Sequence, residues 1–146
     1  MESAVGLLLV EAGPRSNAMT ISCFSEVAHH PTTLWVSVAK TSYSHELIKE
    51  TGRFSLAVLS LNQKIAAISC GTVSGRQQDK CASLDLYSSP AGFLFLRGAL
   101  ASTGCRVRQT IDIDDQTLFI ADIVETDLDT RNAHLRHLLL SDFRDL

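Results

Sequence analysis

An alternation of side chains with a period of two in the first half of the chain limits its fold more than any other feature. In residues 33–40, TLWVSVAK, the apolar side chains of Leu34, Val36 and Val38 fall on one face. Residues 17–24, NAMTISCF, alternate in the same way, with Met19 and Ile21 on one face. Successive side chains of a β-strand point to opposite faces, so a period of two predicts strands rather than helices.

Turn signals divide the chain into further strands. Residues 13–17, GPRSN, are predicted to join residues 4–12, AVGLLLVEA, to the strand over residues 17–24 as a hairpin, and HHPT at residues 29–32 marks the next break. Further strands are predicted over residues 53–60, 93–113 and 117–129, with a turn at Asp114–Asp115 between the last two.

Three short helices are predicted around these strands. The first covers residues 44–51, with Ser42 or Ser44 as its N-cap and Gly52 as its end. The second covers residues 63–70, capped by Asn62, with Ile65 and Ile68 on one side. Residues 132–143 also show helical spacing. Many strands with few short helices favour a mainly β fold, a barrel or barrel-like sheet with peripheral helices.

Chain length, net charge and cysteine spacing exclude several classes of protein. A chain of 146 residues suits a single domain over residues 1–146. A formal net charge of −3 argues against a nucleic-acid-binding protein. The apolar opening stretch is short and acidic at both ends, which fits neither a signal peptide nor a membrane span. The four cysteines contain no C-x-x-C pair, so reduced thiols in a cytoplasmic protein without membrane partners are expected.

Residues 39–48, AKTSYSHELI, combine a lysine, several hydroxyls and a helix start. Backbone N–H groups and the positive end of the helix dipole favour an anion there, and Lys40 adds a cation. The other interpretation is an ordinary capped helix with a solvated lysine. A second polar segment, VSGRQQDK at residues 73–80, is either a surface loop or a small anion-binding loop in which Gly75 permits close approach.

The sequence gives little support for a serine-hydrolase site or a metal site. GTVSG at residues 71–75 differs from the G-x-S-x-G nucleophile elbow because Ser74 stands one place late, and no strand leads directly into it. His134 and His137, three residues apart, offer two metal nitrogens without a third ligand at sensible spacing. No hydrolase and no metal are therefore expected.

Taken together, NAMTISCFSEVAHHP, VSVAKTSYSHELIKETGRFSLAVLS and SGRQQDK resemble the flavin reductase-like family of FMN-binding split-barrel proteins. The resemblance covers about residues 5–124. It implies a split β-barrel with short peripheral helices, dimeric, that binds FMN. It also implies a flavoprotein oxidoreductase that accepts hydride from NADH or NADPH at the flavin and passes electrons to an acceptor, such as free flavin or a monooxygenase.

The resemblance also implies a set of cofactor-binding residues. Those expected at the isoalloxazine ring are Met19, Thr20, Ser22 and Cys23. Those expected along the ring and the ribityl chain are Ser37, Val38, Ala39 and Lys40. Those expected near the phosphate are Thr41, Tyr43 and Ser44, and those closing the site from the loop are Val73, Ser74, Gly75 and Lys80.

One position departs from the family pattern. Relatives often carry Gly-Asp-His before the strand that reads TLFIADIV here, and that histidine is associated with nicotinamide binding. In this chain Gln116 replaces it, and glutamine donates a hydrogen bond but cannot become a cation. An FMN-binding module of the same fold without efficient NAD(P)H turnover is therefore the alternative function, and a barrel that has lost its cofactor is a third.

Overall fold

The computed structural model describes residues 3–128 and Asp142. The helix predicted over residues 132–143, with His134 and His137, lies outside the described residues except for Asp142. The strands are β1 (Gly6–Ala12), β2 (Arg15–Ile21), β3 (Phe24–His29), β4 (Thr32–Ala39), β5 (Arg53–Val58), β6 (Leu86–Ser88), β7 (Leu94–Leu96), β8 (Ala101–Ile113) and β9 (Gln116–Leu128). The α-helices are α1 (Tyr43–Thr51) and α2 (Lys64–Gly71), with 3-10 turns at Leu61–Gln63 and Lys80–Ser83.

A single antiparallel sheet of seven strands, in the order β2-β1-β5-β8-β9-β4-β3, dominates the described part of the chain. β6 and β7 form a separate hairpin. Leu8 and Ile21 from one end of the sheet share a buried cluster with Leu34 and Val36 from the other end. The sheet therefore curves around one core, and the predicted mainly β class is confirmed.

β1 is buried on both of its faces. Leu8 and Val10 join the inner cluster, whereas Leu7 and Leu9 join a second cluster that also contains Ala67 of α2. A strand covered on both sides has no polar face, which explains why AVGLLLVEA reads as a continuous apolar run.

Two strand predictions were wrong in their extent. The strand expected over residues 17–24 ends at Ile21, and Phe24 begins β3, a separate edge strand. Most side chains of β3 are exposed, so it lacks the apolar alternation that would announce it. The stretch over residues 93–113 is broken between β7 and β8, where Gly98 adopts a φ of 83° that takes the chain out of strand geometry.

The first helix follows its capping signals. The Ser42 side chain accepts a hydrogen bond from the His45 N–H, and Gly52 ends α1 in the left-handed conformation with a φ of 67°. Ser42, one of the two candidates, is thus the N-cap.

The second helix departs from its prediction. Asn62 is not its cap: Gln63 Oε1 accepts the Ser60 N–H at 3.1 Å at the start of a 3-10 turn, and α2 begins only at Lys64. Its buried residues are Ala67 and Cys70, whereas Ile65 is 83% exposed. Small residues let α2 lie close against the sheet, so its packing face is not the face with the largest apolar side chains.

All four cysteines are free thiols: Cys70 and Cys105 are buried, Cys81 is partly buried and Cys23 is exposed. In the described part of the chain, no helix has the length and apolar character needed to span a bilayer. Within that same part, no group of three histidine, cysteine or acidic side chains is placed to hold a metal ion.

Candidate functional site

A cavity of about 390 Å³ lies where the edge strand β2, the start of α1 and the loop after α2 meet. Such a volume is within the range of small-molecule sites. Its lining residues are Asn17, Met19, Thr20, Thr41, Ser42, Tyr43, Cys70, Gly71, Val73, Ser74, Gly75, Arg76 and Lys80.

The start of α1 supplies hydrogen-bond donors to this cavity. Ser42 Oγ already accepts the His45 N–H at 3.2 Å and donates to the Ala39 carbonyl at 2.9 Å. The N–H groups of Tyr43 and Ser44 precede the first intrahelical bonds, so helix geometry gives them no acceptor within α1. These orphan donors, together with the positive helix terminus, favour a negatively charged group beside Tyr43.

Asn17 forms the floor of the cavity beneath Gly75. It is 2% exposed, and its Nδ2 donates to Ser44 Oγ at 2.9 Å. Its Oδ1 is buried and has no hydrogen-bond partner among the described residues. A Cβ on Gly75 would lie 2.0 Å from that oxygen, so only glycine lets the loop sit this close to β2.

Lys80 holds the loop after α2 from beneath. Its side chain is buried, and Nζ donates to the carbonyls of Cys70 and Val73, both at 2.9 Å. Burial lowers the pKa of Lys80 from its ordinary value of 10.5. The ammonium group therefore ties together the two ends of the segment that lines the cavity.

Arg76 is the exposed cation of this cavity. Its Nη1 donates to the Thr41 carbonyl at 2.8 Å, and its guanidinium lies 5.4 Å from the centre of the Tyr43 ring. Nη2 lies 3.9 Å from a carboxylate oxygen of Glu46. Ser74 Oγ accepts the Arg76 N–H at 3.2 Å. The Arg76 guanidinium, the hydroxyl-bearing residues Thr41, Tyr43 and Ser74, and a helix start thus meet at one end of the cavity.

Lys40 lies outside this cavity. Its Nζ is 3.9 Å from Asp112, and its backbone N–H donates to the Asp115 carbonyl at 2.9 Å, beside the turn between β8 and β9. A hydrogen bond from Thr117, and then the charge of Lys40, lower the pKa of Asp112. Lys40 is not among the residues that line the cavity.

The other predicted residues lie in the core, on the outer face of the sheet, or between β2 and β3. Val38 and Ser44 are fully buried. On the outer face, Ala39 pairs with Gln116, and Ser37 Oγ donates to Gln116 Oε1 at 3.1 Å. Ser22 and Cys23 lie between β2 and β3, where Ser22 is partly buried and Cys23 is exposed.

The cavity thus brings together eight of the predicted site residues, namely Met19, Thr20, Thr41, Tyr43, Val73, Ser74, Gly75 and Lys80. It does not bring in Ser22, Cys23, Ser37, Val38, Ala39, Lys40, Ser44 or Gln116. Sequence reasoning left Asn17, Ser42, Cys70, Gly71 and Arg76 out of the site set. Arg76 could have been found from the sequence, because it is the cation of the Ser-Gly-Arg segment. Asn17 could not, because its place in the cavity depends on strand pairing.

Replacing Lys80 by methionine tests its part in shaping the cavity. Lys80→Met leaves two carbonyls without their donor, and removal of the buried charge offsets part of that cost. We expect the free energy of unfolding to fall by about 1–2 kcal/mol and the amides of residues 71–76 to exchange faster with solvent. Urea unfolding and hydrogen exchange measure the two effects. Lys49→Met, on the exposed face of α1, should change stability by less than about 0.5 kcal/mol; equal effects of the two variants would contradict the assignment.

Comparison with known proteins independently supports a relationship to flavin reductases. The family model described as flavin reductase like domain matches residues 1–144. The NADH-dependent flavin reductase StyB of Pseudomonas fluorescens is 34% identical over 105 residues, which are 72% of this chain and 59% of that protein. The chain thus spans about three fifths of the length of this relative.

Two solved structures share the fold. The FMN-binding protein from Thermus thermophilus with bound p-hydroxybenzaldehyde has a TM-score of 0.89 at 22% identity, over 95% of this chain and 81% of that one. The styrene monooxygenase flavin reductase from Pseudomonas putida has a TM-score of 0.84 at 26% identity, over 95% of this chain and 86% of that one. Sequence and fold agree over nearly the whole chain, which therefore belongs to the flavin reductase like family.

Proposed function

We propose that this chain is an FMN-binding oxidoreductase of the flavin reductase type, which accepts hydride from NADH or NADPH at the flavin and passes electrons to an acceptor. The observation that carries the proposal is the polar end of the cavity, where Arg76, Ser74 and the start of α1 converge. The names of the relatives StyB, an NADH-dependent flavin reductase, and the styrene monooxygenase flavin reductase support it.

The residues present fit FMN. A phosphate dianion requires several donors, and the cavity offers backbone N–H groups of α1, the hydroxyls of Thr41 and Ser74, and one guanidinium. The bare backbone at Gly75 lets the loop approach closely, and the unpartnered Oδ1 of Asn17 is an acceptor for a ligand hydroxyl or ring N–H. The cavity then runs from this polar end toward Met19 and Thr20, where a flat apolar group would lie.

When bound, flavin supplies the hydride and electron chemistry, so the protein needs no nucleophile or acid–base pair of its own. The chain's residues bind and orient the cofactor. Arg76 and the α1 donors hold the negative end, and Lys80 keeps the wall of residues 71–76 in place. Gln116, bonded to Ser37 on the outer face, is the nicotinamide-side candidate, and as a neutral side chain it offers hydrogen bonds alone.

The curved sheet supports the finer architecture of a split barrel formed by one domain. Both ends of the sheet contribute to one inner cluster, while β2 and β3, at its two edges, each pair with a single strand among the described residues.

An apolar outer face supports a homodimer. Leu118 pairs with Ile111 and Gln116 with Ile113, and these two isoleucines are 38% and 49% exposed. We propose that a second copy of the chain covers this face, because exposed apolar patches of this kind mark interaction sites. A stable monomer in light scattering at micromolar concentration would contradict this.

The absorption spectrum of the purified protein is the first test of function. Bound or added FMN should give a protein-associated flavin spectrum, and stopped-flow mixing with NADH or NADPH should bleach it. Flavin that binds but is not reduced would favour the alternative function, an FMN-binding module without efficient NAD(P)H turnover. The neutral Gln116 is the observation that supports this alternative. A protein that takes up no flavin would contradict both.

A pair of variants tests which cation holds the phosphate. Arg76→Gln should weaken FMN binding by roughly tenfold, since a charge-assisted hydrogen bond contributes about 1.5–3 kcal/mol. Lys40→Gln, at the Asp112 pair outside the cavity, should weaken it less than about threefold. Fluorescence titration with FMN gives both constants, and a larger effect at Lys40 would place the phosphate beside β4 instead.

A further inference from the structure

A second cavity, of about 270 Å³, shares no residue with the cavity assigned to flavin. It lies where the ends of β1 and α1 meet the start of β5 and the loop between β6 and β7. Its lining residues are Leu9, Glu11, Gly13, Thr51, Arg53, Phe54, Ser55, Gly92, Phe93 and Leu94. A volume below about 300 Å³ is small for a nucleotide cofactor but suits a molecule the size of a single amino acid.

Part of this second cavity has an apolar lining that is held in place. Leu9 is 1% exposed and Phe93 is 4% exposed, and Leu94 is partly buried. The Phe93 N–H donates to Ser89 Oγ at 2.9 Å. Its ring packs so closely on Gly104 that a Cβ there would lie 2.4 Å from Cδ2 of the ring. An apolar group of a ligand therefore has a fixed surface to pack against.

Arg53 supplies a positive charge to the second cavity. Its Nη2 donates to the Ala91 carbonyl at 3.0 Å, and its guanidinium lies 4.1 Å from the centre of the Phe93 ring. Within residues 3–128 this guanidinium forms no ion pair, and its buried Nε has no hydrogen-bond partner. Ser55, which is 2% exposed, adds a hydroxyl from the same strand. A fixed guanidinium with unused donors favours a carboxylate.

Glu11 supplies a negative charge to the same cavity. It is exposed, and in the described part of the chain it pairs neither with Arg53 nor with any other cation. Thr51, the last residue of α1, also lines the cavity, and the C-terminal end of a helix carries a partial negative charge. Opposite charges that line one cavity without pairing favour a ligand that carries both an ammonium and a carboxylate group.

We propose that the second cavity binds a free α-amino acid with an apolar side chain about the size of leucine. The ligand carboxylate binds Arg53 and Ser55, and its ammonium group binds Glu11. Its apolar side chain packs against Leu9 and Phe93. A dicarboxylate would be repelled by Glu11, and an amine without a carboxylate would be repelled by Arg53. The inference does not rest on the proposed flavin chemistry, because the two cavities share no residue.

Isothermal titration calorimetry of the full chain with L-leucine tests the proposal, with two analogues that each lack one charged group. Isocaproate keeps the carboxylate and the side chain but has no ammonium group, and isoamylamine keeps the ammonium group but has no carboxylate. We expect saturable binding of L-leucine with a Kd of about 1 mM or below. Each analogue should bind at least about tenfold more weakly, because it loses one charge-assisted interaction.

Two variants and a matched control locate the binding. Glu11→Gln should weaken L-leucine binding by roughly tenfold, and since Glu11 is exposed, its urea unfolding midpoint should not change. Arg53→Lys keeps the charge but loses the planar pair of donors, so a loss of roughly fivefold or more is expected. Glu26→Gln alters another exposed glutamate on a strand, one that does not line the cavity, and should leave the affinity unchanged.

The outcomes separate this inference from the proposed function. Absence of saturable L-leucine binding, or equal binding of isocaproate, would overturn the amino-acid site. Binding that Glu11→Gln leaves unchanged would also overturn it, because the ammonium group would then lie elsewhere. Titration of Glu11→Gln with FMN should give the affinity of the unaltered chain. A chain that binds flavin but not L-leucine contradicts only this inference, and one that binds L-leucine but no flavin contradicts only the proposed function.

Discussion

Gly75→Ala is expected to reduce FMN affinity by roughly 10- to 100-fold, because overpacking typically costs about 1–3 kcal/mol. The added methyl group would lie 2.0 Å from Oδ1 and 2.5 Å from Cγ of Asn17. Asn17 cannot swing away freely, since it is 2% exposed and bonded to Ser44. The loop must therefore move outward, which separates Arg76 and Ser74 from the start of α1.

Fluorescence titration with FMN measures this loss, and a double-mutant cycle identifies its cause. Asn17→Ala removes the atoms that clash, so Asn17→Ala with Gly75→Ala should bind FMN better than the sum of the two single effects predicts. Gly71→Ala adds the same methyl group to the same wall, but its nearest neighbour, Thr20 Cβ, is 3.4 Å away, so a clearly smaller loss is expected. Additive effects, or equal losses at the two glycines, would show that the Gly75 contact does not position the loop.

Phe119→Ala is expected to have the largest effect on stability, lowering the free energy of unfolding by about 3–5 kcal/mol. Phe119 lies on β9, is 1% exposed and belongs to the inner cluster that strands from both ends of the sheet share. Its ring also contacts the ring of His45 on α1, with centroids 5.4 Å apart. Truncation would leave a cavity between α1 and the sheet, beneath the helix whose first turn borders the candidate site.

Urea unfolding monitored by circular dichroism tests this effect. Phe119→Leu keeps most of the apolar volume and should cost less than about 1.5 kcal/mol. Ile65→Ala removes a side chain that is 83% exposed and should change the free energy by less than about 0.5 kcal/mol. Similar unfolding midpoints for the three variants would mean that the inner cluster is not the main source of stability.

Local sequence patterns were sufficient to predict features that depend on contacts within a single strand or helix. The alternation in TLWVSVAK predicted the faces of β4 because the pleat places successive side chains on opposite sides. The ends of α1 were predicted as Ser42 or Ser44 and Gly52, because caps and left-handed glycines act within a few residues, and the structure selects Ser42. β3 was missed because an edge strand needs no apolar face, so its exposed side chains leave no periodic pattern.

The same distinction between local and long-range contacts applies to the candidate site. The mainly β class and a helix start at Ser42 or Ser44 could be predicted from the sequence, since each depends on contacts between neighbours in the chain. The packing of distant segments places Arg76 rather than Lys40 at the cavity, and Asn17 beneath Gly75. Those placements depend on how β2, α1 and a loop almost 60 residues later pack together, and packing between distant segments leaves no periodic trace in the sequence.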